Sequence, residues 1–230
     1  VRVSGGARRG VVKICGLTTA GDALAAAAAG ADLLGFVFFP HSRRCLPAAA
    51  TAWIAALPLG RAGRVGVFRD QEAGLIEEVV AAAGLELVQL HGDEDPETCA
   101  RLGGRGRVIK AVSVDGPVDW GRVRAWAEVA RILFDTASPT GGGTGRTFDW
   151  SLLAACPPGL SFWLAGGLNP GNVGAAIALA RPEGVDVASG VELAVGRKDP
   201  ARMRAFVGAA RAAWAGLEEG RGGVDETPAR

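Results

Sequence analysis

Short β-branched, apolar runs alternate with Ala-rich stretches of helical composition from Val11 to Arg211, and this repeat limits the fold more than any other feature. The runs are VVKIC (11–15), LLGFVF (33–38), RVGVF (64–68), LELVQL (85–90), RVIKAVSV (107–114), RILFD (131–135), LSFWLA (160–165) and GVDVAS (184–189). Several are apolar almost throughout, as strands buried on both faces of a parallel sheet are. Helical stretches intervene at 19–29, 47–57, 71–83, 95–102, 117–128, 150–155, 170–180 and 199–214. Thr18 or Thr19 is placed to cap the first, Pro47 suits a first turn, and Asp199-Pro200 opens the last. Eight strand–helix pairs in about 200 residues predict an α/β chain forming a single small (β/α)8 TIM barrel. A doubly wound open sheet shares the alternation. It is disfavoured because no GxGxxG follows the first strand, whereas phosphate-type glycine turns follow the seventh and eighth. The domain spans 11–216, and the Gly- and Arg-rich segment 1–10 and the polar segment 217–230 read as flexible tails.

Charge and cysteine usage narrow the functional classes. Lys+Arg number 25 against 24 Asp+Glu, a net charge of +1 with no long basic run, which argues against a nucleic-acid or anionic-membrane partner. No apolar stretch reaches the roughly 18 residues of a membrane span, and Lys13 interrupts the first apolar run, so it does not read as a signal peptide. Cys15, Cys45, Cys99 and Cys156 form no CxxC pair, and with only His41 and His91 no zinc ribbon or finger can be written. Such spacing suits a reduced, cytoplasmic protein.

In a barrel, chemistry gathers at the C-terminal ends of the strands. That rule selects Lys13, Cys15, Arg44, Gln89, His91, Asp135, Asp186 and Ser189. Cys15 closes the first strand. It reads as a small buried hydrophobe or as a thiolate whose pKa a neighbouring cation lowers, and Lys13 shares its face. Asp135 closes the sixth strand and reads as a loop cap or as an acid at the pocket mouth. His91 reads as a backbone-bonded loop histidine or a substrate contact, and Arg44 as solvated surface or a carboxylate fork at the rim. The turns AGGL (165–168) and ASGVE (188–192) offer backbone N–H groups to an anion, the first just before a helix expected to open at Asn169-Pro170. A third glycine run, GGGTGRTFDW (141–150), reads as a mobile loop over a bound substrate or as plain surface.

KICGLT (13–18), GFVFFPHSRR (35–44), RVGVF (64–68), VQLHGDE (88–94), VIKAV (108–112), GGTGRTFDW (142–150), LAGGLNPGNV (164–173) and GVDVASGVE (184–192), taken together, resemble the phosphoribosylanthranilate isomerases of tryptophan biosynthesis. The likeness runs from about Val11 to Arg211. It implies an Amadori rearrangement of N-(5′-phosphoribosyl)anthranilate with no cofactor and no metal, by a monomer or homodimer acting on a phosphorylated small molecule. It implies Cys15 as general base and Asp135 as general acid. Arg44 would meet the anthranilate carboxylate, His91 would lie near the substrate, and Asp186 would accept from a ribose hydroxyl. The phosphate would rest on the backbone of Gly166, Gly167, Ser189 and Gly190. Arg43, Cys45 and Ala188 depart from the usual family pattern. Cys45 also raises the question of an oxidised Cys15–Cys45 pair that would silence the base, which the sequence leaves open. Related phosphate-binding barrels, such as indoleglycerol-phosphate synthases and sugar-phosphate epimerases, would want more lysines or more histidines than this chain has. A barrel that only binds would have no use for Cys15 and Asp135 together.

Overall fold

The computed structural model describes residues 10–137 and 147–222. Strands β1 (Val11–Ile14), β2 (Leu33–Val37), β3 (Gly63–Phe68), β4 (Leu87–Leu90), β5 (Val108–Val114), β6 (Arg131–Thr136), β7 (Phe162–Leu164) and β8 (Gly184–Val187) close into one parallel barrel. Helices α1 (Ala20–Ala28), α2 (Ala50–Ala56), α3 (Ala73–Ala83), α4 (Pro96–Arg101), α5 (Trp120–Ala127), α6 (Val173–Ala180) and α7 (Pro200–Gly222) cover its outside. A 3-10 segment, Trp150–Ala155, stands where the helix after β6 was expected.

The period-two alternation of a strand explains which residues do what. Val12, Ile14, Leu34, Phe36, Val88, Leu90, Ile132 and Phe134 point outward into the helix-facing core. Inward, a lower apolar plug contains Leu33, Val65, Leu87, Ile109, Leu133 and Trp163. The same parity, carried upward, turns Lys13, Cys15, Gln89, His91, Asp135 and Asp186 into the barrel mouth. Lys13 and Asp186 are register partners where β8 closes on β1. Outside the barrel, Lys110 Nζ donates to Glu94 Oε2 (3.0 Å) and lies over the Trp126 ring (5.3 Å), a buried pair under α4 and α5. Glu94 also accepts from the backbone N–H of Asp70 and Gly92, which fixes the loop carrying His91.

Thr19 caps α1 by accepting from Asp22 N, as the sequence suggests. Other ends differ. Pro47 lies a turn ahead of α2, its carbonyl accepting from Ala50 N. The final helix runs on to Gly222, past the expected boundary at 216, because the LEE stretch continues a run of good helix formers. Gly10, assigned to the N-terminal tail, is buried, and a Cβ there would lie 2.2 Å from the Trp214 ring. After β8 comes an unforeseen hairpin, β9 (Glu192–Ala194) with β10 (Arg197–Lys198). All four cysteines are free thiols, so no Cys15–Cys45 bridge is formed. Among the described residues no helix is long and apolar enough to cross a membrane.

Candidate active site

A cavity opens at the C-terminal mouth of the barrel. Its lining includes Cys15, Arg44, Gln89, His91, Asp135, Gly166, Gly167, Asp186 and Ser189. Eight of the nine residues to which the resemblance gives a role therefore share one space. Gly190, the ninth, is not in the lining. A Cβ on it would lie 1.9 Å from the Leu168 carbonyl oxygen, so its lack of a side chain lets the loop after β8 press against the loop after β7.

Cys15 follows β1, its N–H donating to the Val187 carbonyl (2.8 Å). Burial pushes its thiol pKa up, while Lys13 pulls it back down and Asp186 raises it further. The net direction is upward, so burial outweighs the neighbouring cation. Lys13 is fully buried and donates to Asp186 Oδ2 at 2.8 Å. Burial opposes its charge, but Asp186 and then Cys15 more than offset this, and its pKa is raised. A permanent cation thus lies on the thiol's own face, ready to stabilise a thiolate when one forms. Gly35 completes the niche, since a Cβ there would lie 2.7 Å from Cys15 Sγ. Gly35→Ala is expected to displace the sulfur and lower kcat at least about tenfold, with an overpacking cost of about 1–3 kcal/mol. Kinetics alongside a thermal melt check this, and unchanged values in both would contradict the packing argument.

Asp135 is the last residue but one of β6, and its two oxygens face different partners. Oδ1 accepts from Thr136 N (2.8 Å), and Oδ2 lies 3.2 Å from His91 Nε2. His91 Nδ1 in turn meets Gln89 Nε2 at 3.3 Å. His91 therefore leans on the candidate acid, a closer coupling than the substrate contact expected of it. Asp186 spends Oδ2 on Lys13, and its buried Oδ1 has no partner among the described residues. That leaves an unused acceptor on a residue lining the cavity, suited to a hydroxyl donor.

Gly166 and Gly167 take φ of 86° and 63°, the left-handed region that only glycine enters freely. Their turn precedes an Asn169–Asn172 loop that reaches back to it. Asn172 Nδ2 donates to the Gly167 carbonyl, and Asn172 Oδ1 accepts from Asn169 N. The helix expected to open at Asn169-Pro170 starts later, at Val173. With Ser189 on the neighbouring loop after β8, this wall is mainly backbone, the surface that suits a phosphate.

Arg44 lines the cavity and is held by a partner that the sequence did not point to. Its Nε and Nη2 fork onto Glu192 Oε1 and Oε2 at 2.8 and 2.7 Å, and Lys198 Nζ donates to Glu192 Oε1 at 2.8 Å. Glu192 and Lys198 escaped the sequence reading. Both lie on the short hairpin β9–β10, whose strands are too brief to show alternation. The expected substrate-covering loop falls largely on residues 138–146, outside the described residues.

The family model described as N-(5′phosphoribosyl)anthranilate (PRA) isomerase matches residues 12–209. The chain belongs to the phosphoribosylanthranilate isomerase family. An N-(5′-phosphoribosyl)anthranilate isomerase of Azorhizobium caulinodans is 47% identical over 218 residues, covering 91% of this chain and 95% of that protein. The crystal structure of the Thermotoga maritima phosphoribosylanthranilate isomerase superposes with a TM-score of 0.81 at 42% identity, covering 88% of this chain and 98% of that one. A further isomerase structure, at TM-score 0.78 and 39% identity over 88% of this chain and 98% of that one, holds reduced 1-(o-carboxyphenylamino)-1-deoxyribulose 5-phosphate. The closed eight-stranded barrel of this chain sets the open-sheet alternative aside.

Proposed function

We propose that this chain converts N-(5′-phosphoribosyl)anthranilate into 1-(o-carboxyphenylamino)-1-deoxyribulose 5-phosphate, with Asp135 as acid and Cys15 as base. The observation that carries the reading is the meeting, in one cavity, of a carboxyl group, a thiol and a glycine-walled anion cradle. The reaction needs those parts and no redox partner. Asp135 Oδ2 gives its proton to the furanose ring oxygen as the C1′–O4′ bond breaks, and the anilino nitrogen lone pair forms the Schiff base. Cys15 as thiolate then removes the proton from C2′, and the electron pair moves toward nitrogen to give an enolamine. Tautomerisation places a proton on C1′ and leaves the ketone at C2′. Atoms and electrons balance within the substrate, because the two groups only move protons.

The remaining side chains fit around those steps. Asp186 Oδ1 accepts from a ribose hydroxyl, which also sets C2′ against Cys15. His91 takes up or returns the proton at Asp135 Oδ2 between turnovers. Gly166, Gly167 and Ser189 hold the phosphate end through backbone N–H groups, so part of the binding energy is available for orientation. Gly190 acts indirectly, by bringing the two loops together. Arg44 faces the carboxylate of the anthranilate ring. Incubating the protein with freshly prepared phosphoribosylanthranilate and identifying the product tests this. The expected product is an isomer of unchanged mass with a ketone carbon signal at C2′. Release of free anthranilate at the rate of buffer alone would overturn the proposal.

A further inference from the structure

The grip of Glu192 on Arg44 leaves an asymmetry. The Nε–Nη2 edge of the guanidinium is fully used, while Nη1 has no hydrogen-bond partner among the described residues. A guanidinium held edge-on by one carboxylate still presents its other edge to a second. Glu192 is itself held by a second cation. Lys198 Nζ donates both to Glu192 Oε1 (2.8 Å) and to the Ala188 carbonyl (3.0 Å), in the loop carrying Ser189. Gly196 N reaches Glu192 Oε1 at 3.3 Å, and Arg202 donates to its backbone carbonyl. Thr18 ties the hairpin to the loop after β1 through the Gly196 carbonyl. Arg44, Glu192 and Lys198 are all buried. The Arg44 side chain also lies over Gly16, where a Cβ would be 2.4 Å from its Cδ.

We infer that Glu192 is a positioning residue, braced by Lys198, that holds Arg44 edge-on so that its free edge meets the substrate's carboxylate. This rests on the proposed function. It adds a link between the two anionic ends of the substrate, because one lysine bridges the carboxylate that aims Arg44 and the loop that cradles phosphate. Charge alone predicts the opposite sign. Glu192 is an anion close to where a carboxylate must bind, so its removal would tighten binding if Arg44 kept its place unaided. Positioning predicts looser binding, because a glutamine has no charge and one acceptor oxygen instead of two, so with its oxygen at the Oε1 place its amide N–H groups would face Arg44 Nη2 and break the fork.

The test is calorimetric binding of reduced 1-(o-carboxyphenylamino)-1-deoxyribulose 5-phosphate and of the same molecule lacking its ring carboxyl. Glu192→Gln is expected to weaken the carboxylated ligand about 10- to 100-fold, the scale of a charge-assisted bidentate contact, and to change binding of the other by less than about threefold. Glu192→Asp, which keeps the charge, is expected to recover part of the loss. Unchanged or tighter binding of the carboxylated ligand by Glu192→Gln overturns the inference. So does equal weakening of both ligands, which a general structural defect would produce. If the unaltered protein binds neither ligand, the proposed function itself fails, and the positioning role fails with it.

Discussion

Replacing Cys15 by alanine is expected to lower kcat by about 10²- to 10⁴-fold, the usual contribution of a positioned base, while KM changes little. The sulfur has no substrate-binding group to offer beyond its role at C2′, so its loss removes an interaction made in the transition state. The side chain is small and buried and its neighbours Val37, Phe39 and Val67 are apolar, so the alanine variant should fold. An equal rise in KM with no fall in kcat would contradict the assignment. The resting state of the base adds a second readout. Burial raises the thiol pKa despite Lys13. Alkylation of Cys15 by iodoacetamide, mapped by peptide mass, should therefore rise about tenfold per pH unit and keep rising through pH 9.0. A plateau below pH 8 would show that Lys13 prevails over burial, and that the thiolate is preformed.

Asp135→Asn is expected to cost at least as much, about 10³-fold or more in kcat, because an amide cannot deliver a proton to the ring oxygen. The geometry favours a clean substitution. The asparagine oxygen can still accept from Thr136 N, and its amide nitrogen can face His91 where Oδ2 now lies. The backbone of β6 and the shape of the cavity are thus kept while the proton is lost. His91→Ala should be milder, since it leaves the acid in place and removes only its neighbour. Comparable rates for Asp135→Asn and the unaltered protein would assign ring opening to another group, with His91 the first alternative.

Much of this was legible in the sequence because strand parity carries chemistry as well as packing. In KIC, RILFD, VQLH and GVDVA the residues at alternate positions are those that the barrel turns inward, which is why Lys13, Cys15, Gln89, His91, Asp135 and Asp186 meet. Apolar runs buried on both faces announced the strands themselves. What stayed hidden lies in loops, where no period operates. Arg44 and Glu192 are 148 residues apart, and nothing local in HSRRC or SGVE signals that one will fork onto the other. Gly190 was legible as part of a glycine turn, but its close approach to the Leu168 carbonyl on another loop was not. The direction of the Cys15 shift was also beyond the sequence. Lys13 two residues away suggested a lowered pKa, but full burial is the larger effect and only the packed barrel supplies it.

The most direct measurement is the initial rate at which the purified protein, reduced and treated with a metal chelator, consumes phosphoribosylanthranilate, followed by the loss of the substrate's fluorescence. Two proton-transfer groups and a backbone phosphate cradle predict rapid conversion under those conditions, undiminished by the chelator and abolished to near the buffer rate in the Cys15→Ala, Asp135→Asn double variant. No conversion by the folded, reduced protein, or full conversion by the double variant, would contradict the account.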